Sequence, residues 1–147
     1  MIKAITKRAI SAGHIKVSDH LRFSLKADAV NCFGREIKSL QCGGTFTGRH
    51  DFWVWFPDTD NQEWSNEISK CGTKIYERKK GDAAEAKAYL KKQISDNKKH
   101  HVFLRSKVGN STYYTYRGTF QLSIECSLAE KRAVWTRYDT QAETYAV

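Results

Sequence analysis

The stretch HVFLRSKVGNSTYYTYRGTFQLSIEC, residues 101–126, decides the fold. It is dense in β-branched and aromatic residues, and it reads as strand over His101 to Ser106 and again over Tyr113 to Cys126, interrupted at Gly118. Ala133 to Tyr138 reads as a further strand. Successive side chains of a strand point to opposite faces, so Tyr114 and Tyr116 share one side and Tyr113, Thr115 and Arg117 the other.

Working backwards, Asp82 to Ser95 is the clearest helix. Asp82 stands as N-cap with Glu85 three residues later, and Ala83, Ala86, Tyr89, Leu90 and Ile94 form an apolar stripe opposite Lys87, Lys91 and Lys92. Before it come a Cys71-Gly72 turn, a short strand from Lys74 to Arg78, and an irregular stretch around Trp64 and Asn66. Gly43-Gly44 opens Thr45 to Phe56, in which the run Phe52-Trp53-Val54-Trp55-Phe56 has strand character, ended by Pro57 and the Asp58 to Asn61 cluster. Alternation puts Trp53 and Trp55 on one side of that strand and Phe52, Val54 and Phe56 on the other. The N-terminal third reads as two short helices, Ile2 to Ile10 and Leu25 to Phe33, the second capped by Ser24 and ended by Gly34. Helices and strands interspersed without βαβ alternation predict an α+β architecture with a mostly antiparallel sheet. The expected organisation is a single domain over residues 1–147, helical to about residue 40 and sheet-rich beyond.

Composition narrows the function. The 147 residues are 40% hydrophobic and 12% aromatic, too rich in core-forming side chains for disorder, and no apolar run approaches a membrane span. With 25 Lys and Arg against 16 acids the formal charge is +9, which points to a polyanionic partner. The excess is local: between Lys74 and Lys107 eleven bases face only Glu77, Asp82, Glu85 and Asp96, whereas Asp51, Asp58, Asp60, Glu63 and Glu67 make the preceding stretch acidic. The charge is therefore a face, although solvated lysines on a helix give the same pattern. Cys32, Cys42, Cys71 and Cys126 are too widely spaced for metal knuckles and follow no signal sequence, which leads us to expect buried structural thiols, an intracellular (cytoplasmic) protein, and neither a metal nor another cofactor.

Residues 72–138 carry a resemblance. Gly81-Asp82 opening a helix, the His101 to Arg105 strand, a Tyr-x-Tyr-x-Gly-x-Phe strand (Tyr114, Tyr116, Gly118, Phe120) and a closing Val-Trp-x-Arg-Tyr strand (Val134 to Tyr138) follow in an order that resembles the SRA (SET and RING associated) domain and the SRA-like modules of modification-dependent restriction systems. The resemblance implies a curved, PUA-like sheet, double-stranded DNA as partner, and capture of a modified cytosine flipped out of the duplex.

The residue chemistry suits that expectation. An extracted base needs aromatic faces and polar groups for its Watson–Crick edge. Trp53, Trp55, Tyr114 and Tyr116 are candidate faces, and Asp51 and Asn66 candidate edge readers. Phosphates need Lys, Arg and helix N-termini, for which Lys79, Lys80, Lys91, Lys98, Arg105 and Arg117 are the candidates. The plain alternative for each aromatic is packing within the sheet.

Two rivals remain in view. A small basic nuclease would draw on His14, His20, His50, His100 or His101, and Arg49-His50-Asp51 has the look of an oriented imidazole. No clustered-carboxylate or histidine motif of a nuclease is present, so no catalytic residue is assigned, and cleavage would come from a partner chain or not occur. The plain reading of His100-His101 is an exposed helix exit. The second rival is a protein-interaction module with a basic face, which would ignore base modification. Composition says nothing of the oligomeric state.

Overall fold

A computed structural model describes residues 2–49, 51–57 and 63–147. The Asp58 to Asn61 cluster and His50, the centre of the Arg49-His50-Asp51 reading, lie outside the described residues. In chain order the elements are α1 (Ala4–Ala12), β1 (His14–Lys16), β2 (Arg22–Phe23), α2 (Lys26–Val30), β3 (Gly44–Phe46), β4 (Phe52–Trp55), β5 (Trp64–Ile68), β6 (Lys74–Lys79), α3 (Ala83–Asp96), β7 (Lys99–Val108), β8 (Ser111–Leu122), α4 (Ile124–Glu130), β9 (Ala133–Asp139) and β10 (Gln141–Glu143).

One strongly curled sheet dominates, in the order β3-β4-β7-β8-β9-β6-β5, with β2 added to β8 and a separate β1-β10 pair. Among the described residues every pairing between these strands is antiparallel except β4 with β7, which are joined by the crossover through β5, β6 and α3 and run parallel. The α+β class with a mostly antiparallel, curled sheet is therefore correct.

The sheet is buried on both faces. On one, Val54, Phe56, Phe103 and Tyr116 pack with Phe23, Phe33 and Val30 beneath the N-terminal helices. Those helices are tied down by Thr6 Oγ1 donating to Asp28 O (2.7 Å) and by Thr144 Oγ1 donating to Ala9 O (2.7 Å). On the other face Ile75, Val102, Phe120, Leu122 and Trp135 pack against Leu90 and Ile94 of α3. As its sequence implies, α3 starts at Asp82, whose Oδ1 accepts from Glu85 N at 2.8 Å.

A bulge separates the two faces. Val102 pairs with Gly118 but Phe103 with Tyr116, so Arg117 is the extra residue. Gly118 sits at φ 122°, and a Cβ there would collide with Arg137 Cδ and lie 3.0 Å from Asp139 O. Only glycine lets the Arg137 side chain cross the strand at this point.

Four local expectations differ. The stretch around Trp64 is a strand, β5, in register with β6 through Asn66↔Glu77 and Ile68↔Ile75. It escapes a sequence reading because a polar residue, Asn66, takes an inward position where alternation calls for an apolar one. Tyr113 to Cys126 is strand only to Leu122, after which Ser123 Oγ accepts from Cys126 N (3.3 Å) and caps α4. Leu25, not Ser24, is the N-cap of α2, and it makes no side-chain capping bond. Of the cysteines only Cys32 is buried, held by the core with its thiol pushed up to about 12, while Cys42 and Cys71 are exposed.

The bulge yields a stability prediction. Gly118→Ala should lower unfolding free energy by about 1–3 kcal/mol, since it combines an unfavourable φ with a clash. Gly109→Ala, at φ 62° with nothing within 4 Å, should cost about 1 kcal/mol. Urea melts of the two variants compare them directly, and equal losses would mean that the Arg137 crossing is not what holds Gly118.

Candidate functional site

The face that α3 covers is not completely filled. Between the sheet, α3 and the Gln41 to Gly44 segment lies a cavity of about 540 Å³. Its floor is aromatic. His100 lies 4.5 Å from the Trp135 ring and 5.8 Å from that of Trp55, and is stacked at 6.4 Å and 19° on Trp53, while Trp55 and Trp135 are 5.2 Å apart. One wall is the register pair Asn66 and Glu77, both buried. Directly opposed side chains on neighbouring strands start about 5 Å apart, so an amide and a carboxyl enter the cavity side by side. Trp64 closes the same wall, edge-on to Tyr89 of α3 at 4.6 Å.

Hydrogen bonds fix these groups. Glu77 Oε1 accepts from Tyr89 Oη (2.8 Å) and from Trp135 Nε1 (3.2 Å), which ties α3 to β9 through one buried carboxyl. Burial raises the Glu77 pKa to about 7, against the two hydrogen bonds that favour the ionised form. His100 Nδ1 lies 2.8 Å from Lys98 O. A carbonyl only accepts, so Nδ1 carries the proton and Nε2 is left as an acceptor. Burial lowers the His100 pKa to about 4, which keeps the ring neutral at physiological pH. At the rim, Lys79 Nζ stands 5.0 Å from the Trp64 ring centroid and Lys98 Nζ 5.7 Å from that of Trp53.

Of the candidate pocket residues, the fold brings Trp53, Trp55 and Asn66 together at this cavity. It does not bring the others there. Tyr116 is 1% exposed in the opposite core, its Oη 2.7 Å from Thr119 Oγ1, and Tyr114 packs edge-on against Phe56 on that same side. Pairing with the Phe103 side of β7 sends both tyrosines to the N-terminal face. Asp51 is exposed in the turn before β4. Among the cations, Lys98 lines the cavity, Lys79 stands over the ring of Trp64 in its wall, Lys80 follows β6, Lys91 is exposed on α3, and Arg105 and Arg117 line a different cleft.

Several site residues escape a sequence reading. Glu77 looks like one more charge in a basic stretch, and its burial depends on Tyr89 and on Trp135, 58 residues away. His100 and His101 are not an exposed helix exit but the opening of β7. His101 is sandwiched between Phe33 (4.6 Å) and Phe52 (4.9 Å) and lowered by burial to about 3. Both imidazoles are therefore neutral at physiological pH, and neither stands as an imidazolium acid. Among the described residues no three His, Cys, Asp or Glu side chains gather as a metal-ligand set, and no helix is long and apolar enough to cross a membrane.

Glu77 gives the site a pH signature. Its folded pKa of about 7 stands above the ordinary carboxyl value of 4.5, so its contribution to stability is complete below pH 4.5 and is lost as pH rises through 7. The amplitude is on the order of 3 kcal/mol. Relative to Glu77→Gln, which stays neutral, the wild type should therefore lose stability between pH 5 and pH 8. Urea unfolding of both at the two pH values measures this, and a pH-independent difference would refute the raised pKa.

A family model for the SET and RING associated domain matches residues 8–144. Among solved structures, "The 5-Hydroxymethylcytosine-Specific Restriction Enzyme AbaSI" is similar with a TM-score of 0.83 and 26% identity, over 96% of this chain and 45% of that one. The present chain thus spans less than half the length of that enzyme. No curated protein matches the sequence. With the bulged two-faced sheet and the matched span taken together, the chain belongs to the SET and RING associated (SRA) domain family.

Proposed function

We propose that this chain is a DNA-binding reader that takes a modified cytosine out of the duplex and into the cavity above Trp55, His100 and Trp135. The observation that carries the reading is the buried Asn66–Glu77 pair set among aromatic rings inside a volume of about 540 Å³. A flipped base exchanges its stacking neighbours for such rings and has its edge satisfied by such groups. Cytosine offers an N4 amino donor and acceptors at N3 and O2. The Asn66 amide supplies both a donor and an acceptor, and Glu77, titrating near neutrality, accepts from N4 when ionised and donates to N3 when protonated. Membership of the SRA family and likeness to an enzyme named as specific for 5-hydroxymethylcytosine support modified cytosine as the target class.

Lys79, Lys80 and Lys98, near the mouth, hold phosphates of the strand that carries the base, and Lys91 extends the positive face along α3. In this reading the 147 residues act as one reading domain of a restriction or defence system, or of its evasion, and strand cleavage comes from a nuclease in a partner chain. Duplex DNA is the partner because a flipped base has a complementary strand to leave.

The test is fluorescence anisotropy on matched duplexes carrying plain, 5-methylated or 5-hydroxymethylated cytosine across a salt series. Tighter binding of one modified duplex is expected. Trp53→Ala should weaken that complex by about 1–3 kcal/mol, five- to 150-fold, while leaving the plain duplex little changed. Lys98→Ala should weaken both alike. Equal binding of all duplexes, with equal losses in every variant, would reduce the protein to a general nucleic-acid binder.

A further inference from the structure

We propose that a second cleft, on the same sheet face as the base cavity, grips a backbone phosphate of the bound DNA through Arg22, Arg105 and Arg117. This rests on the DNA-reading function proposed above and adds an anchor separate from the cavity. The cleft has a volume of about 360 Å³, and His20 also lines it. Arg22 is on β2, which pairs with β8 through Arg22↔Thr115, while Leu104↔Thr115 joins β7 to the same residue from the other side. The cleft opens along β8 where β2 gives way to β9 as its neighbour, so it is a product of the strand order.

Two observations point to an anionic ligand. The first is charge without counter-charge. Among the described residues no acidic side chain lines the cleft, whose remaining polar groups are the Ser106 and Thr115 hydroxyls. Among the described residues the ion pairs are Arg49–Glu143 and Arg132–Glu130, neither of them at this place. A fourth guanidinium adds to the excess: Arg137 Nη1 and Arg117 Nη2 lie 3.7 and 3.8 Å from the position of a Cβ on Gly72. Like charges brought this close repel, and an anion turns that cost into binding.

The second observation is that two of the four guanidiniums, those of Arg22 and Arg137, are held in place. Arg22 lies over the Tyr113 ring at 5.4 Å, and Arg137 Nη1 donates to Arg117 O at 3.4 Å across the Gly118 bulge. Fixed arginine forks match phosphate oxygens in pairs and lose little freedom on binding. The two hydroxyls add neutral donors of the kind common in phosphate contacts.

Placement ties the cleft to DNA rather than to a free anion. Asn66 lines the base cavity, and Ile68, two residues along the same face of β5 and thus about 7 Å further, lines the cleft. A duplex delivering a base to the first is carried past the second.

The experiment measures the salt dependence of duplex binding for the full chain and for the Arg22→Gln/Arg117→Gln double variant, on plain and modified duplexes. Losing one phosphate contact lowers the slope of log K against log salt by about 0.9. The expected result is a slope reduced by at least that amount on both duplexes, with the modified-to-plain affinity ratio unchanged. Arg22→Lys/Arg117→Lys, which keeps the charge, should retain most of the slope and guards against a folding artefact in the glutamine variant. An unchanged slope in a folded glutamine variant would overturn the proposal. So would wild-type thermal stabilisation by millimolar inorganic phosphate, lost in the variant, with no change in the DNA slope, since the cleft would then take free phosphate only. Failure of the wild type to bind any duplex would overturn the reader function together with this anchor, whereas an unchanged slope beside intact discrimination removes the anchor alone.

Discussion

The bulge at Arg117–Gly118 is the constraint on which the rest of the molecule depends. Without the extra residue, Tyr114, Tyr116, Gly118 and Phe120 would all lie on one face of β8. With it, Tyr116 stays with Phe103 in the N-terminal core, while Phe120 crosses to join Val102, Leu122 and Trp135. The central strand pair can then serve two cores at once. Thr119 shares the Tyr116 side and hydrogen-bonds both Tyr116 Oη and His101 Nδ1 at 2.7 Å, so the polar groups displaced by the irregularity satisfy each other. The same irregularity admits Arg137 across the strand and sets it beside Arg117.

The two faces are used differently. The N-terminal helices cover most of one of them, where residues such as Phe33, Phe103 and Val54 are fully buried. On the other, α3 contributes half-buried side chains such as Tyr89, Leu90 and Ile94, and no fully buried residue. Incomplete cover leaves the cavity, and the Glu77 carboxyl linking Tyr89 to Trp135 holds the cover at a fixed height. A buried carboxyl costs stability as it ionises, which is the kind of local conflict that functional sites retain. The cost is moderated by the two hydrogen bonds that Glu77 accepts.

What was legible in the sequence was what local rules decide. The N-cap at Asp82 depends on residues three apart, and the separation of Trp53 and Trp55 from Val54 and Phe56 depends only on the pleat of one strand. The strand character of β7, β8 and β9, and with it the SRA resemblance, came from composition and order. The strand around Asn66 was illegible because a site residue interrupts the apolar pattern, and α4 because Leu122 to Cys126 alternates like a strand until Ser123 caps a helix.

The sequence by itself thus determined the α+β class, the curled antiparallel sheet, the basic balance and the family. Only the tertiary structure decided which aromatics face the cavity and which the core, because one bulge reverses the facing of half of β8. Only it could pair Asn66 with Glu77, bury that glutamate against residues far along the chain, and bring Arg22 to Arg117. Those are matters of register between strands distant in sequence, and register is fixed by how two cores fill on either side of the sheet, which no local pattern encodes.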